Sequence, residues 1–218
     1  MKKVFFAIIL VSLVSPKIFA QYTKGSISIG GTLALDLGSR KDKAGSTTTD
    51  GPKTTSFTFI PSAEFFLSDK FSLGLGLGYD VTRTKTVTGT GIGTTTEIST
   101  TGSPVIYPFA RLYFPMGEKV SIFAQAKLDI EPGTKKTKTT VTNNTTTESL
   151  GNFYLAAGIN PGISVALSPK ISLDANFGFI GVVYQKVETS DTNSYAYTDG
   201  VFRIDPSAFT FGFRYFIK

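Results

Sequence analysis

Histidine and cysteine are both missing from this sequence of 218 residues. Without cysteine the chain has no disulfide framework, and it lacks the lipid-bearing cysteine that anchors a bacterial lipoprotein. Without either residue, the usual proton-shuttling bases for serine or cysteine nucleophiles are missing too. We therefore predict that the protein is not an enzyme and that it has no catalytic residues, no metal ligands and no cofactor.

A strong net charge is missing as well. The formal net charge is +6 at pH 7, from 22 basic and 16 acidic residues. Lys2, Lys3 and Lys17 lie in a leader-like segment without acidic residues, so the remainder keeps 19 basic residues and a net charge of +3. An excess this small does not indicate a nucleic-acid partner.

The first 20 residues have the layout of a secretory signal peptide, with a basic start, an apolar run over residues 4–14 and Ala20 at the end. An uncleaved membrane anchor is the alternative, but the apolar run is shorter than the ~20 residues that a spanning helix needs. Ile18 stands where a small residue is usual. We predict a signal peptide over residues 1–20 and one domain over residues 21–218.

The last residues alternate strictly between large apolar side chains and smaller or polar ones. The large residues are Phe209, Phe211, Phe213, Tyr215 and Ile217. This alternation predicts a β-strand with one apolar face. A face made almost wholly of rings is typical of a strand that faces lipid. Because no helical pattern persists after residue 21, we predict an all-β domain.

A unit of strand, short turn and strand recurs three times, at a spacing of about 50 residues. The second strand of each unit begins with a matching segment, at Asp69–Leu73, Glu118–Ile122 and Pro169–Leu173. One further strand at each end gives eight antiparallel strands. They cover roughly residues 24–38, 54–67, 71–84, 103–114, 119–132, 150–167, 171–185 and 200–217.

The connections differ between the two ends of the predicted strands. Three are short turns, whereas four are long and rich in threonine, serine, glycine, asparagine and lysine, which predicts loops. The four predicted loops are Ser39–Thr55, Lys85–Thr101, Gly133–Ser149 and Lys186–Asp199. Short turns at one end and long loops at the other are typical of outer-membrane barrels.

Alternation alone does not say which face of the strands points inward. A soluble barrel of the lipocalin type would enclose the apolar face, whereas a membrane barrel encloses the polar one. The polar face carries glycine at positions 74, 76 and 78, which suits a crowded interior. We therefore predict the membrane arrangement, with Phe177 and Phe179 on the apolar outer face beside the closing aromatic residues.

Charged residues on the polar face are predicted to form a network in the lumen. Glu64 and Arg111 occupy equivalent repeat positions, and we expect them to meet directly or through a third polar group, because isolated buried charge is unfavourable. Such a network either neutralises buried charge or gates ions. The alternative partners are Lys127 or Arg214 for Glu64, and Asp129 or Asp174 for Arg111.

Several segments resemble a known family. They are Gln21 after the leader, the Pro-x-Ala-Glu/Arg-Phe/Leu pattern at 61–65 and 108–112, the segment Asp69–Tyr79 and the closing Phe-Gly-Phe-Arg-Tyr-Phe at 211–216. Together they are similar to the porin-like outer-membrane β-barrel domain proteins, small barrels akin to OmpX, OmpW and the OmpA transmembrane domain. The resemblance spans residues 21–218.

This resemblance implies an eight-stranded antiparallel transmembrane up-and-down β-barrel in the outer membrane of a Gram-negative bacterium. It also implies outer-membrane lipid, lipopolysaccharide and the barrel-assembly machinery as partners. The enzymes among such small barrels depend on a catalytic histidine, which is absent here. Lys218 departs from the family, whose members usually end on an aromatic residue.

Two roles remain open at this stage. The first is a structural and surface-interaction barrel with long polar extracellular loops, an unidentified loop ligand and a lumen filled by side chains. The second is a small passive channel for ions or small apolar solutes. Basic residues in the predicted loops contact lipopolysaccharide phosphates or are simply solvated; they are Arg40, Lys41, Lys43, Lys53, Lys135, Lys136 and Lys138.

Overall fold

The computed structural model describes residues 22–44, 47–89, 94–141, 144–190, 192–204 and 210–217. None of these residues belongs to a helix long and apolar enough to cross a membrane. The predicted signal peptide and Phe209 lie outside the described residues. The described strands are β1 (Ile27–Ala44), β2 (Thr47–Phe66), β3 (Phe71–Thr88), β4 (Thr95–Pro115), β5 (Val120–Val141), β6 (Asn144–Ser168), β7 (Ile171–Asn176), β8 (Gly178–Glu188), β9 (Ser194–Ile204) and β10 (Thr210–Ile217).

The strands close into a ring with eight positions. Strands β1 to β6 pair antiparallel in chain order. Strands β7 and β8 both pair with β6 and together fill the seventh position. Strand β9 pairs with β8 and β10 pairs with β7, so β9 and β10 together fill the eighth position. Pairing of β1 with β10, from Ile27 opposite Ile217 to Thr32 opposite Gly212, completes the ring. The predicted all-β, eight-stranded antiparallel barrel is confirmed.

Short turns join the strands at one end of the barrel, hereafter the short-turn end. Leu67 donates its backbone N–H to the carbonyl of Phe71 at 3.0 Å, and Met116 donates to Val120 at 2.9 Å. These turns lie where the repeat predicted them. Because the strands that they connect are adjacent and antiparallel, the predicted up-and-down order follows.

A one-residue bulge interrupts the seventh position at Phe177. Ile163 of β6 lies opposite Ala175 of β7, but Ile159 lies opposite Ile180 of β8, so the second partner strand contains one extra residue. A bulge of this kind reverses the faces of the residues that follow it. Ile180 is therefore exposed on the outer wall, and the prediction that Phe179 faces outward is wrong.

The four segments predicted as long loops are mostly strand, and that prediction is wrong. β1 continues to Ala44 and β2 begins at Thr47, while β5 continues to Val141 and β6 begins at Asn144. The physical reason is threonine, whose β-branched side chain favours extended backbone. Its hydroxyls also pair across strands, as in the 3.0 Å contact between the Oγ1 atoms of Thr140 and Thr145. The segments form extended polar hairpins.

The outer wall is apolar over a broad band. Phe211, Phe213 and Tyr215 are 56%, 51% and 40% exposed, whereas Arg214 and Phe216 at the alternate positions are buried. The same alternation places large apolar side chains of the other strands on the outside. Examples are Ile29, Leu33, Leu35, Phe57, Phe59, Leu73, Leu75, Leu77, Tyr79, Ile122 and Ile159.

Candidate functional site

Four buried charged residues cross the lumen and form what we call the charged layer: Glu64, Arg111, Asp174 and Arg214. They belong to β2, β4, β7 and β10, and strand alternation points all four inward. Arg111 Nη1 lies 2.6 Å from Asp174 Oδ2, and Arg214 Nη2 lies 2.9 Å from the same oxygen. Arg214 Nη1 also pairs with Glu64 Oε2. Two positive and two negative charges therefore balance.

Neutral groups complete the hydrogen bonds of Glu64. Ser28 Oγ donates to Glu64 Oε2 at 3.0 Å, and Ser72 Oγ donates to Oε1. Tyr113 donates its hydroxyl to Glu64 Oε1 at 3.1 Å and accepts from Arg111 Nη1 at 3.1 Å. Tyr113 thus joins Glu64 to Arg111, and Arg214 with Asp174 provides a second connection.

The guanidinium of Arg111 is held on its other sides by an amide and by rings. Its Nε donates to Gln125 Oε1 at 3.1 Å. Its Cζ lies 4.1 Å from the ring centroid of Phe123 and 5.5 Å from that of Phe109, within the range of cation–π attraction. These contacts compensate for the loss of water around a buried charge.

An aromatic layer fills the lumen between the charged layer and the short-turn end. Its members are Tyr22, Phe66, Tyr113, Phe123 and Phe216, which form one buried cluster. Tyr22 precedes β1, and its ring stacks on Tyr113 with centroids 4.1 Å apart. It also meets Phe66 at 5.5 Å and Phe216 at 5.8 Å. A residue that belongs to no strand of the barrel wall thus completes the aromatic layer inside the lumen.

Sequence reasoning did not find the aromatic layer, although the signal was present. Phe66, Tyr113 and Phe216 each lie two residues after a charged member of the charged layer, and Phe123 lies two residues before Gln125. Residues two apart on a strand share a face. The same alternation that predicted an inward Glu64 therefore also places these rings inside.

Glycines on β3 make room for rings from β4. Gly74 lies opposite Phe109 and Gly76 lies opposite Tyr107. A Cβ atom added at either glycine would overlap the facing ring, so no larger residue fits without a shift. The predicted crowding of the interior thus has a definite source, which is the pair of rings folded over the β3 backbone.

A cavity of about 250 Å³ lies on the hairpin side of the charged layer. Arg111, Asp174 and Arg214 are among the residues that line it, together with Lys127 and Asp129. Lys127 Nζ lies 2.7 Å from Asp129 Oδ2, so these two residues pair with each other. Neither partners Glu64 or Arg111.

The arrangement is suited to sealing. Both arginines of the charged layer are paired with carboxylates, and the rings of the aromatic layer lie between them and the short-turn end. Within the described residues, no group of three or more metal-ligating side chains converges on a site. The ion pairs of the charged layer connect β2, β4, β7 and β10 across the lumen.

A family model described as the outer membrane protein beta-barrel domain matches residues 6–215. The chain belongs to this family. The protein is accordingly an outer-membrane β-barrel protein of a Gram-negative bacterium, and its apolar outer band and closed ring agree with that location. No curated protein sequence matches the chain.

Solved structures with a similar fold include three small outer-membrane β-barrels. Ail of Yersinia pestis is 14% identical, with 89% of this chain and 100% of Ail covered and a TM-score of 0.38. OprG of Pseudomonas aeruginosa is 13% identical, with 92% of this chain and 99% of OprG covered and a TM-score of 0.42. Neisserial surface protein A is 16% identical, with 87% of this chain and 95% of that protein covered and a TM-score of 0.33. These likenesses are weak, so the family assignment rests on the family model.

Proposed function

We propose that this barrel is a non-conducting structural protein of the outer membrane that presents its polar hairpins at the cell surface. The observation that supports the proposal is that two layers of buried side chains cross the lumen. The charged layer crosses it once, and the aromatic layer crosses it again nearer the short-turn end. In family barrels the short turns face the periplasm, so the closure lies on the periplasmic side.

The charged layer opposes conduction because its members are already bound to one another. An ion that passed would have to displace the contact of Arg111 or Arg214 with Asp174, leaving buried charge without a partner. An eight-stranded barrel has room for its own side chains and little else. The alternative, a passive channel for ions or small apolar solutes, would require both layers to move.

The hairpins are the surface that can meet other molecules. β5 and β6 run together from Glu131 opposite Tyr154 to Val141 opposite Asn144, which extends the wall well beyond the apolar band. Threonine and asparagine on these strands present hydroxyls and amides that can bind a polar ligand.

Lipopolysaccharide is the proposed partner of the outer wall just beyond the apolar band. On β3 the outward row of Tyr79 and Val81 continues as Arg83 and Lys85. Lys85 lies opposite Ile98 of β4, and Ile98 lies opposite Lys138 of β5, so cations from two strands share one face. We call Arg83, Lys85, Lys136 and Lys138 the basic belt.

The height of the basic belt supports this partner. Aromatic residues such as Tyr79 mark the membrane boundary, and the belt follows directly after it. Phosphate groups of lipopolysaccharide in the outer leaflet would offset the clustered positive charge. The proposed lipid contacts of the apolar band, including Phe211, Phe213 and Tyr215, lie below it. Secretion through residues 1–20 and insertion by the barrel-assembly machinery complete the proposal.

Planar-bilayer recording of the refolded protein, run beside an osmotic-swelling assay, tests the proposal. We expect no stepwise conductance and no swelling with ions or small sugars. Reproducible steps that scale with the amount of monomer would contradict the closed lumen and favour the channel. A known outer-membrane porin, reconstituted in the same lipid, provides the positive control.

A further inference from the structure

Acidic residues collect on the inner face of the barrel above the charged layer. Asp80 of β3 and Asp129 and Glu131 of β5 all occupy inward positions, and we call these three the acidic mouth. Asp80 and Asp129 lie within electrostatic reach of Glu131. On β3 and β5 the cations Arg83, Lys85, Lys136 and Lys138 take the alternate positions, which point outward. Lys127 and Lys135 of β5 share the inner face with the acidic mouth, and Lys127 is paired with Asp129.

Asp129 is paired with Lys127, whereas Glu131 and Asp80 make no ion pair among the described residues. Glu131 lines the cavity and is half-buried. The nearby ammonium of Lys127 is already bound to Asp129 at 2.7 Å. Like charges in a partly buried site repel one another, so an added cation would stabilise this carboxylate.

The cavity wall adds oxygen atoms that lack hydrogen-bond donors. Asn160, Asp174 and Asn176 line the cavity, and one side-chain oxygen of each is buried without a donor among the described residues. Asn160 donates its Nδ2 to the carbonyl of Gly178 at 2.8 Å, which fixes the orientation of the amide. Buried acceptors are normally satisfied, so three in one wall indicate a site that favours donors.

We propose that the cavity and the acidic mouth bind a linear polyamine. Each ammonium group of such a molecule supplies up to three donors and no acceptor, which complements a wall of carboxylates and orphaned oxygens. The cavity of about 250 Å³ lies just below the ~300–1,000 Å³ of ordinary ligand pockets, so a slender chain fits better than a ring system.

The distribution of the carboxylates favours several spaced charges over a single metal ion. No three metal-ligating residues converge in the described part of the chain, and Asp80 and Glu131 lie on different strands. Arg111 and Arg214 form the floor of the cavity and repel a cation that moves deeper. We expect the polyamine to enter this site from the hairpin side, and its binding there does not require that the barrel be closed to ions.

Isothermal titration of the refolded chain with spermidine, in micelles of an uncharged detergent, tests the proposal. We expect saturable binding of one spermidine per barrel that weakens as salt is added. Diacetylation of the two primary amines removes two of the three charges, and this probe should bind far more weakly. The substitution Glu131→Gln should raise the Kd about tenfold, the loss expected for one charged hydrogen bond.

Glu118→Gln is the matched control, because Glu118 is exposed in a turn at the opposite end of the barrel. It changes the net charge equally and should leave the Kd unchanged. Equal weakening by both substitutions would assign the heat to general surface charge and overturn the proposal, as would the absence of saturation in the parent protein. Circular dichroism verifies folding, and Asp80→Asn gives a second test if Glu131→Gln does not fold.

Discussion

Substitution of Arg111 by methionine should destabilise the barrel without opening it. Methionine keeps most of the apolar length but removes the ion pair with Asp174, the hydrogen bonds to Gln125 and Tyr113 and the approach to Phe123. Asp174 retains Arg214, yet the charged layer is left with one excess negative charge. Breaking a buried pair of this kind lowers the free energy of unfolding by about 3–5 kcal/mol.

Urea unfolding in micelles measures this change. The sequence contains no tryptophan, so circular dichroism and the mobility shift between folded and unfolded barrel report the transition. Lys70→Met is the matched control, because Lys70 is exposed in a turn at the short-turn end. We expect its loss to stay within about 0.5 kcal/mol.

The double variant Arg111→Met/Asp174→Asn refines the interpretation. It removes both partners and restores a balanced charge between Glu64 and Arg214, so its loss should be smaller than the sum of the two single losses. Bilayer conductance of Arg111→Met should stay near zero because the aromatic layer is intact. A loss below about 1 kcal/mol, or the appearance of steady conductance, would refute the structural role of the charged layer.

Three further outcomes are expected. Phe211→Arg should lower the free energy of unfolding by about 2–4 kcal/mol in lipid vesicles, since it places a cation in the apolar band; an unchanged urea midpoint would argue against that location. Gly74→Ala should lower it by about 1–3 kcal/mol, because the new methyl group meets the ring of Phe109, and the combination with Phe109→Leu should recover part of the loss. The intact mass of protein from the outer-membrane fraction should correspond to a chain that starts at Gln21, whereas a full-length mass would show that residues 1–20 are retained.

Much of the barrel could be predicted because side chains in a strand return to the same face every two residues. The alternation around Phe213 and Tyr215 placed one apolar face, and the tripled strand–turn–strand unit placed the short turns. The inward direction of Glu64 and Arg111 followed from the same alternation, since each lies on the face of its strand opposite to the apolar residues. These features are local, and a single sequence records them directly.

Other features depend on information that local pattern does not contain. Around Phe177 both faces of the strand are apolar, with Phe179 on one and Ile180 on the other, so the alternation suits two registers equally and the bulge is invisible. The polar composition of the four connecting segments predicted loops, whereas their threonine residues favour the extended strands that the structure shows there. The choice of Asp174 over Asp129 as the partner of Arg111 depends on the stagger of strands around the ring, which only the closed barrel fixes.

The position of Tyr22 has a consequence for the way the barrel is completed. It stands just before β1, and its ring contacts Phe216 near the end of β10, so the same few residues join the two edge strands and fill the lumen beneath them. An intermediate whose edge strands are unjoined would therefore also lack the contact of Tyr22 with Phe216 in the aromatic layer. The closed lumen that we propose depends in this way on completed pairing of β1 with β10.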